Sequence, residues 1–464
     1  MTKSLPLLIT ILLVAAMPLA CRPGAPAPES PTAEQATATV AATVVPSSTP
    51  ATPAADQTPE NPELVTLAHP WQGEQLRALE EVIAALSADT ALEVELRPVP
   101  FAELRSQLNY LVAVDNPPHL ALLPSAQLLA ELAEQEALVQ LGTILDVGQL
   151  PAEYVDSWLG LGGHGGDLYG LPLDIGIKSL VWYSPAAFAA AGYTVPTSWQ
   201  AMMDLSQRMA AEGRSPWCIG IEHGEASGWA ASDWIEDILL RSAGPDVYDR
   251  WVAHEIPWTD PAVERAWGLF GQIALNDELV AGGSSSILTT TWTSAVAPLF
   301  DDPPGCSMHH QGPWIASAFP PGLVIGQDID FFPLPPIDSA HGTPMVTWAS
   351  LLVMMEDTDQ ARSVMAYLAS PPPAVQQLWS DRGWFLTPNP QVGPALHPDL
   401  YTDDLTRRVA ETLFDASVVR FDGSDLMPEE VQQAFWRGTV EYIAGADLRA
   451  VLEGIEAVAA QAYR

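Results

Sequence analysis

The stretch ELVTLAHP, residues 63–70, opens the folded part of the chain as a short apolar strand that ends in a turn at His69-Pro70. The residues after it alternate helix and strand, with helices over about 73–87 and 101–112 and strands over 93–99 and 119–123. The last of these is a short apolar run of the kind that is buried in a parallel sheet. Strands alternating with helices predict an α/β fold. Further strands are predicted over 173–183, 218–222, 330–334 and 347–354.

The chain before this region has the features of an export signal. Lys3 precedes an apolar run over 5–16 that is too short for an ordinary membrane-spanning helix. Cys21 follows the small residue Ala20, as in a bacterial lipobox, although Pro18 stands where leucine is usual. We predict a lipoprotein signal peptide over 1–21 with Cys21 as the lipidated residue. The alternative is a conventional signal peptide that is cleaved nearby.

Residues 22–61 consist mainly of Pro, Ala, Thr and Ser, with no aromatic residue. Such a segment buries too little apolar surface to offset the entropy lost on ordering. We predict a disordered stalk between a membrane anchor and the folded body.

The charge of the chain excludes several classes of partner. Nineteen Lys and Arg face 57 Asp and Glu, which gives a formal net charge of −38. A surface this acidic repels phosphate backbones and anionic headgroups, so nucleic acid is not expected as a partner, and membrane contact is expected only through the lipid anchor. Tryptophan is unusually frequent, with 16 residues against 11 Phe and 10 Tyr. Core packing accounts for about half of them in our interpretation, and the others are candidates for ligand platforms.

Two cysteines remain after Cys21, and they lie at Cys218 and Cys306. In an exported protein two cysteines are expected to form a disulfide, the alternative being two buried thiols. Neither has a second cysteine two to four residues away, so we predict no metal site.

Motifs of catalysis or cofactor binding are absent from the sequence. There is no Walker A loop, no Gly-x-Gly-x-x-Gly at a strand–helix junction, no Gly-x-Ser-x-Gly and no His-Glu-x-x-His. We therefore predict neither enzymatic activity nor a cofactor. A pair of carboxylates across a cleft, as in glycosidases, has no sequence signature and stays open.

Several motifs in order along the chain resemble those of the extracellular solute-binding proteins of ABC importers. They are LYGLP (168–172), VWYS (181–184), PTSW (196–199), GPW (312–314) and MP with FW (427–428 and 435–436). The stretches PWCIGIE (216–222), DWIED (233–237) and RFDGSDLMP (420–428) are similar to the α-glucoside-binding branch of the maltose-binding-like superfamily. Cys218 and Cys306 both fall within motifs of that branch, which supports their pairing.

The resemblance implies a two-lobed periplasmic-binding-protein fold, or flytrap, of the maltose-binding type, with the ligand in the cleft between two α/β lobes. We expect the first lobe over 62–172 plus 328–370 and the second over 173–327 plus 371–464. Hinges are expected at 172–177, at 327–332 and after Ser370, and Gly and Pro in the first segment and Pro after Ser370 permit changes of dihedral angle.

The candidate binding residues combine indole rings, which cover the apolar face of a pyranose, with polar groups for its hydroxyls. The resemblance places stacking residues at Trp314 and Trp436. Further candidates come from their position on the expected lobes: Trp71 and Gln72 after the first strand, Asp115, Trp229 with Asp233, Trp348 and Trp384. For each tryptophan the alternative is a place in the core, and for Asp115 it is a solvated turn.

We therefore expect an extracytoplasmic, lipid-anchored and monomeric lipoprotein at the cell membrane. It would capture a sugar, an α-glucoside or oligosaccharide, and deliver it to the permease subunits of an ABC transporter. Two alternatives stay open: a secreted carbohydrate-active enzyme with a carboxylate pair in the cleft, and a ligand sensor with the same fold.

Overall fold

The structure is a computed structural model that describes residues 64–145, 159–372, 374–375, 378, 386, 401 and 404–464. The predicted signal peptide and stalk, with Cys21, lie outside the described residues, and so does Trp384.

Eleven strands lie in the described part of the chain. They are β1 (Val65–His69), β2 (Val94–Pro98), β3 (Leu120–Leu123), β4 (Gly163–His164), β5 (Asp167–Leu168), β6 (Gly170–Ile177), β7 (Leu180–Tyr183), β8 (Met308–His310), β9 (Asp330–Pro333), β10 (Met345–Met354) and β11 (Val419–Phe421). Twelve α-helices accompany them over the same residues. They are α1 (Gly73–Thr90), α2 (Leu104–Ala113), α3 (Ala126–Glu134), α4 (Pro185–Ala191), α5 (Trp199–Ala211), α6 (Trp229–Ala243), α7 (Pro245–Val252), α8 (Pro261–Ala274), α9 (Asp359–Ala369), α10 (Asp404–Phe414), α11 (Glu429–Ile443) and α12 (Leu448–Ala462).

A large and a small sheet organise these elements, and β4 and β5 form a separate two-stranded sheet. The large sheet has the order β11-β10-β3-β1-β2, and β6 also pairs with β10. Its strands β1, β2 and β3 are parallel, as the alternation of strand and helix predicts, whereas β10 runs antiparallel to β3 and β6. The small sheet has the order β8-β7-β9 and is antiparallel. The predicted two-lobed α/β architecture is therefore present.

Serine hydroxyls fix the starts of three helices near the two sheets. Ser125, Ser184 and Ser198 each accept a hydrogen bond from a backbone N–H in the first turn of α3, α4 and α5. Such caps satisfy one of the four amides that a helix leaves without an internal partner. Ser184 and Ser198 belong to the VWYS and PTSW motifs, so these motifs are in part helix-start signals.

Apolar side chains cover both faces of the large sheet and surround the small one. One face of the large sheet packs against α1 and α9, and the other against α3 and α10. The largest core cluster joins the small sheet to α5, α6, α8, α11 and α12. It contains the buried rings of Trp217, Trp234, Trp251, Trp258 and Trp267.

The chain passes between the two sheets at three crossovers. The first is Lys178-Ser179, between β6 and β7, the second is residues 334–344, between β9 and β10, and the third follows β11 at Asp422. The strand predicted over 173–183 is therefore two strands in different sheets, broken at Lys178. The first two crossovers begin just after the hinges predicted at 172–177 and 327–332, because residues 172–177 themselves lie in β6 and residues 330–332 in β9.

The strand predicted over 218–222 makes only single bridges, at Trp217 and Glu222. Gly220 lies so close to the segment at Thr290 that an added Cβ would stand 2.6 Å from the Thr290 carbonyl oxygen. This close approach of an irregular loop replaces regular strand pairing.

Candidate functional site

Four tryptophan rings that are only partly buried form a continuous cluster. Ring centroids lie 5.4 Å apart for Trp229 and Trp292, 6.2 Å for Trp229 and Trp314, and 5.5 Å for Trp314 and Trp348. Trp348 belongs to β10 of the large sheet, whereas the other three lie on the side of the small sheet. We call Trp229, Trp292, Trp314 and Trp348 the tryptophan cluster. It spans both halves of the fold.

Two glycines make room for these rings. A Cβ on Gly176 of β6 would stand 2.4 Å from Nε1 of Trp348, and a Cβ on Gly312 would stand 2.2 Å from the Trp314 ring. Real Cβ atoms do not approach so closely, so both positions require glycine for the rings to keep their places.

His223 extends the cluster toward the first lobe. Its Nδ1 accepts a hydrogen bond of 3.0 Å from Nε1 of Trp229, and its ring stacks on Phe101 at 6.2 Å between centroids and 17° between planes. Burial lowers the pKa of His223, which agrees with a neutral imidazole that accepts through Nδ1. Phe101 and His223 thus bring the segment before α2 against the loop before α6.

The ammonium of Lys178 lies beneath the tryptophan cluster. Its Nζ is 5.8 Å from the ring centroid of Trp229 and 6.0 Å from that of Trp314, within the range of cation–π attraction. The same Nζ donates a hydrogen bond of 3.1 Å to Oδ1 of Asp233 and a second bond to Oδ2 of Asp422. A buried cation in the first crossover thus joins α6, the third crossover and the rings.

Four buried carboxyls surround this ammonium, and their environments shift their pKa values in different directions. Burial works to raise the pKa of Asp422, but the Lys178 ammonium and the Ser424 hydroxyl overcome it and hold the pKa below its usual range. Burial raises the pKa of Asp233 and Glu236 well above the usual range, and it raises that of Asp425 to about 7. Asp422 is therefore the ionised partner of Lys178, and the other three carboxyls readily hold a proton.

A further buried carboxyl, Asp174, lies on the large-sheet side of the cluster. Its partner across the strand pair is Ser350, and Trp348 is paired with Gly176 two residues along, so Asp174 and Trp348 share one face. The Ser350 backbone N–H donates to Oδ1 of Asp174, and Nε1 of Trp71 donates to Oγ of Ser350 at 3.2 Å. Burial raises the pKa of Asp174 to about 7.

Two buried carboxylate oxygens, Oδ2 of Asp174 and Oδ2 of Asp233, have no hydrogen-bond partner within the described residues. One lies on each side of the tryptophan cluster. Because an unpaired carboxyl oxygen is costly to bury, these two atoms mark places where a ligand hydroxyl, which both donates and accepts, is favoured.

A cavity of about 160 Å³ lies beside Phe101, the ring that stacks on His223. Its walls come from the starts of α2 and α3 on one side and from α11 with the loop before it on the other. Trp436 lines it, together with the polar side chains of Arg105, Ser125, Glu225, Asp425, Glu429, Gln432 and Gln433. The cavity lies between segments of both lobes.

The disulfide Cys218–Cys306 holds the loops of the site together. Its Cα atoms are 5.6 Å apart, and the Cys218 N–H also donates to the Met308 carbonyl oxygen at 2.9 Å. The segment that leads to His223 and Trp229 is thereby fixed to the segment that leads to Trp314. The predicted disulfide is confirmed.

Comparison with known proteins decides the family. A model described as bacterial extracellular solute-binding protein matches residues 70–375. The osmoprotective compounds-binding protein GgtB of Synechocystis sp. is 41% identical over 398 residues, which are 86% of this chain and 92% of that protein. This chain belongs to the bacterial extracellular solute-binding proteins. The alpha-glucosides-binding periplasmic protein AglE of Rhizobium meliloti is 36% identical over 410 residues, 85% of this chain and 86% of that protein.

Solved structures agree on the fold of this solute-binding protein. The bacterial solute receptor AcbH superposes with a TM-score of 0.74 at 21% identity, over 86% of this chain and 99% of that chain. AcbH is described as having an exclusive preference for β-D-galactopyranose. The predicted family and fold are confirmed, and with them the general role of capturing a solute outside the cytoplasm and delivering it for transport.

The described residues contain neither a candidate membrane span nor a cluster of metal ligands. Within those residues no helix is both long enough and apolar enough to cross a bilayer. No group of three or more His, Cys, Asp or Glu in the same residues is arranged to hold a metal ion.

The structure brings most of the predicted site residues toward one place. Trp229, Trp314 and Trp348 are in the tryptophan cluster, Asp233 binds Lys178 beneath it, and Trp436 lines the adjoining cavity. Trp71 is buried and connects through Ser350 to Asp174.

Two predicted residues lie at the surface instead. Gln72 is exposed at the N-cap of α1, and Asp115 is exposed in the turn that follows α2, in a left-handed conformation with φ of 56°. For Asp115 this is the solvated-turn alternative.

The sequence analysis did not select Asp174, Lys178, His223 or Trp292 as site residues. Lys178 had a usable signal, since it is a single cation in the apolar stretch IGIKSLVWY, residues 175–183. Asp174 directly precedes this stretch. Trp292 and His223 lie in loops whose proximity depends on tertiary packing, so the sequence carried no signal for them.

Proposed function

We propose that this solute-binding protein captures a short α-glucoside and delivers it to the permease of an ABC importer. The relatives support this ligand class, because one is named for alpha-glucosides and another for osmoprotective compounds, and each matches over more than four fifths of both chains.

The observation that carries the proposal is the arrangement of rings and free acceptors. Four partly exposed indoles lie between two buried carboxyls, Asp174 and Asp233, each with one oxygen that lacks a partner among the described residues. Indoles cover the C–H face of a pyranose with little loss of side-chain entropy, and carboxyl oxygens accept its hydroxyls. Rings flanked by acceptors suit a polyhydroxylated ligand better than an apolar one.

The cavity beside Trp436 favours a short ligand. Its volume is about 160 Å³, and its lining adds Ser125, Asp425 and Gln432, which offer both donors and acceptors. Stacking and several hydrogen bonds support micromolar affinity, about 8 kcal/mol, after the costs of ordering.

The anchor, the location and the oligomeric state belong to the same proposal. Cys21 would carry the lipid, residues 22–61 would be the stalk, and the monomeric body would act at the outer face of the cell membrane, with the permease and the bound sugar as its partners. Replacement of Cys21 by Ala should release the protein from membranes, and a variant that stays membrane-bound would contradict the anchor.

The protein is proposed to bind without converting its ligand. The relatives support this, because both are named for what they bind.

Titration calorimetry of the purified protein tests the proposal. The panel consists of methyl α-glucoside, maltose, trehalose and sucrose, with cellobiose, galactose and glycine betaine as contrasts. We expect heat of binding with α-glucosides, quenching of Trp fluorescence and unchanged sugars after incubation. Exclusive binding of glycine betaine would overturn the ligand class, and hydrolysis of any sugar would favour a carbohydrate-active enzyme.

A further inference from the structure

The three crossovers between the sheets meet on a single helix, α6. Asp233 of α6 accepts from Lys178 of the first crossover, and Asp237 accepts from the Oγ of Ser179 at 2.7 Å. Arg241, one turn further along, donates from Nε to the Leu334 carbonyl oxygen at the second crossover.

The third crossover is bound to the same helix. Glu236 of α6 accepts the backbone N–H of Gly423 at 2.6 Å through Oε2 and that of Ser424 at 3.2 Å through Oε1. The spacing of Asp233, Glu236, Asp237 and Arg241 places all four on one side of the helix. We call Lys178, Ser179, Asp233, Glu236, Asp237 and Asp422 the crossover knot.

Hydrogen bonds of the crossover knot also join the crossovers to each other. Oγ of Ser179 accepts the Val346 N–H at the start of β10, and the Lys178 N–H donates to the Val346 carbonyl oxygen. The Asp422 N–H donates to the carbonyl oxygen of Thr347. Rotation of one lobe against the other must therefore change the geometry of these contacts.

Lys178 is the member of the knot that also contacts the tryptophan cluster. Its ammonium bridges carboxyls from two elements, α6 and the third crossover, and lies within about 6 Å of the rings of Trp229 and Trp314. Trp229 is the first residue of α6, so a shift of this ring moves the helix that holds all three crossovers.

We propose that Lys178 is a positioning residue that couples occupancy of the tryptophan cluster to closure of the lobes. The inference rests on the proposed function, because it requires that a sugar stack on Trp229 and Trp314. A sugar ring over these indoles would fix the ring positions, and through Lys178 fix the crossovers in the closed arrangement. Lys178 thereby contributes to affinity without touching the ligand.

The test replaces the ion pair without leaving a buried charge. Removing Lys178 alone would leave Asp422 unpaired in the interior, which is strongly destabilising. The double variant Lys178→Met/Asp422→Asn removes both charges. If it fails to melt cooperatively, Lys178→Gln/Asp422→Asn, in which two amides replace the ion pair, carries the same test.

A matched control is the ion pair between Arg408 of α10 and Asp330 of β9, which are joined at 2.6 Å. It links the large-sheet side to the small sheet, as the knot does, but neither residue contacts the tryptophan cluster in any of its ring interactions. The control variant is Arg408→Met/Asp330→Asn.

Lobe closure is measured by the distance between spin labels at Gln107→Cys on α2 and Arg437→Cys on α11, both exposed positions on helices that face each other across the cavity. Affinity is measured by calorimetry with the α-glucoside that the wild type binds best. We expect Lys178→Met/Asp422→Asn to have a broader distribution of spin-label distances without ligand and at least tenfold weaker affinity. At saturating sugar, its distance distribution should narrow less than that of the wild type. The control should keep wild-type affinity and full narrowing of the distances at saturating sugar, whatever its distribution without ligand.

An unliganded distribution identical to that of the wild type would overturn the inference, and so would wild-type affinity. Weaker affinity with full closure would also overturn it, since Lys178 would then act on the ligand alone. A wild type that binds no glycoside would refute the proposed function, and the unliganded distributions would still decide whether Lys178 holds the lobes.

Discussion

Two groups of tryptophans in the described part of the chain use the same side chain in different ways. Trp217, Trp234, Trp251, Trp258 and Trp267 are at most 2% exposed and pack among apolar side chains around the small sheet. The rings of the tryptophan cluster are partly exposed and contact mainly each other, His223 and Lys178. Core rings stabilise the fold by burial, whereas cluster rings keep a face that a ligand can cover. The high Trp content thus has two causes.

The comparison predicts that removing a core ring harms stability and spares affinity. Trp267 of α8 is fully buried against Phe435 and Tyr442, with ring centroids 5.6 Å away from each. Trp267→Ala should lower the free energy of unfolding by about 3–5 kcal/mol, because it leaves a large cavity. Urea denaturation measures this. If the folded fraction of this variant binds sugar much more weakly than the wild type, the division into two groups fails.

The disulfide concerns both groups of tryptophans, because it joins the core at Trp217 to the loops that carry rings of the tryptophan cluster. Cys218→Ser/Cys306→Ser should cost about 2–4 kcal/mol of stability, since the bridge closes a long loop with a sequence separation of 88. Affinity should also fall, because His223, Trp229 and Trp314 lose a shared support. Thermal melting and calorimetry measure the two effects, and unchanged affinity would show that the core alone holds the loops.

Removing a cluster ring should have the reverse effect of removing a core ring. Trp314→Ala should weaken sugar binding by about 1–3 kcal/mol, the range for a stacked ring in a closed site, and lower stability by less than Trp267→Ala does. Calorimetry and urea denaturation on the same preparations give both numbers. Wild-type affinity in Trp314→Ala would place this ring outside the site.

The pH dependence of stability tests the polar group that accompanies the cluster. Burial raises the pKa of Asp174 from its usual value near 3.8 to about 7. Between these values the folded protein holds a proton that the unfolded chain has lost, so this carboxyl makes stability fall as pH rises from about 4 to 7.

Asp174→Asn should remove that part of the pH dependence. The free energy of unfolding of the variant, relative to the wild type, should rise by roughly 1 kcal/mol per pH unit across this window and level off above it. Denaturation at several pH values measures the difference. Parallel curves for the two proteins would mean that Asp174 titrates normally in the folded state.

The alternation of strand and helix after residue 63 predicted β1, β2 and β3 and their parallel pairing, because local periodicity depends on which face each residue buries. The break at Lys178 escaped prediction, since residues 173–183 read as one apolar run. Nothing local distinguishes a strand that continues from one that leaves its sheet.

The site residues likewise divide into those that the sequence indicated and those that only the structure revealed. Trp229, Trp314, Trp348 and Trp436 were selectable from motifs and residue type, because an indole near a cleft loop is a candidate on chemistry alone. Trp292 and Asp174 join them only through contacts between segments more than 50 residues apart. His223 also bonds Trp229 six residues along the chain, but its contacts with Phe101 and Trp292 depend on tertiary packing.

By itself, the amino-acid sequence determined the alternation that makes an α/β fold, the family motifs, the acidic charge and the pair of cysteines, since each depends on residue type and short-range spacing. Only the tertiary structure decided which tryptophans are core and which are exposed in the cluster. It alone also placed one lysine where two of the crossovers, a helix and two indoles meet. The physical reason is that burial and ion pairing depend on distance in space, and local sequence fixes distance only within a few residues.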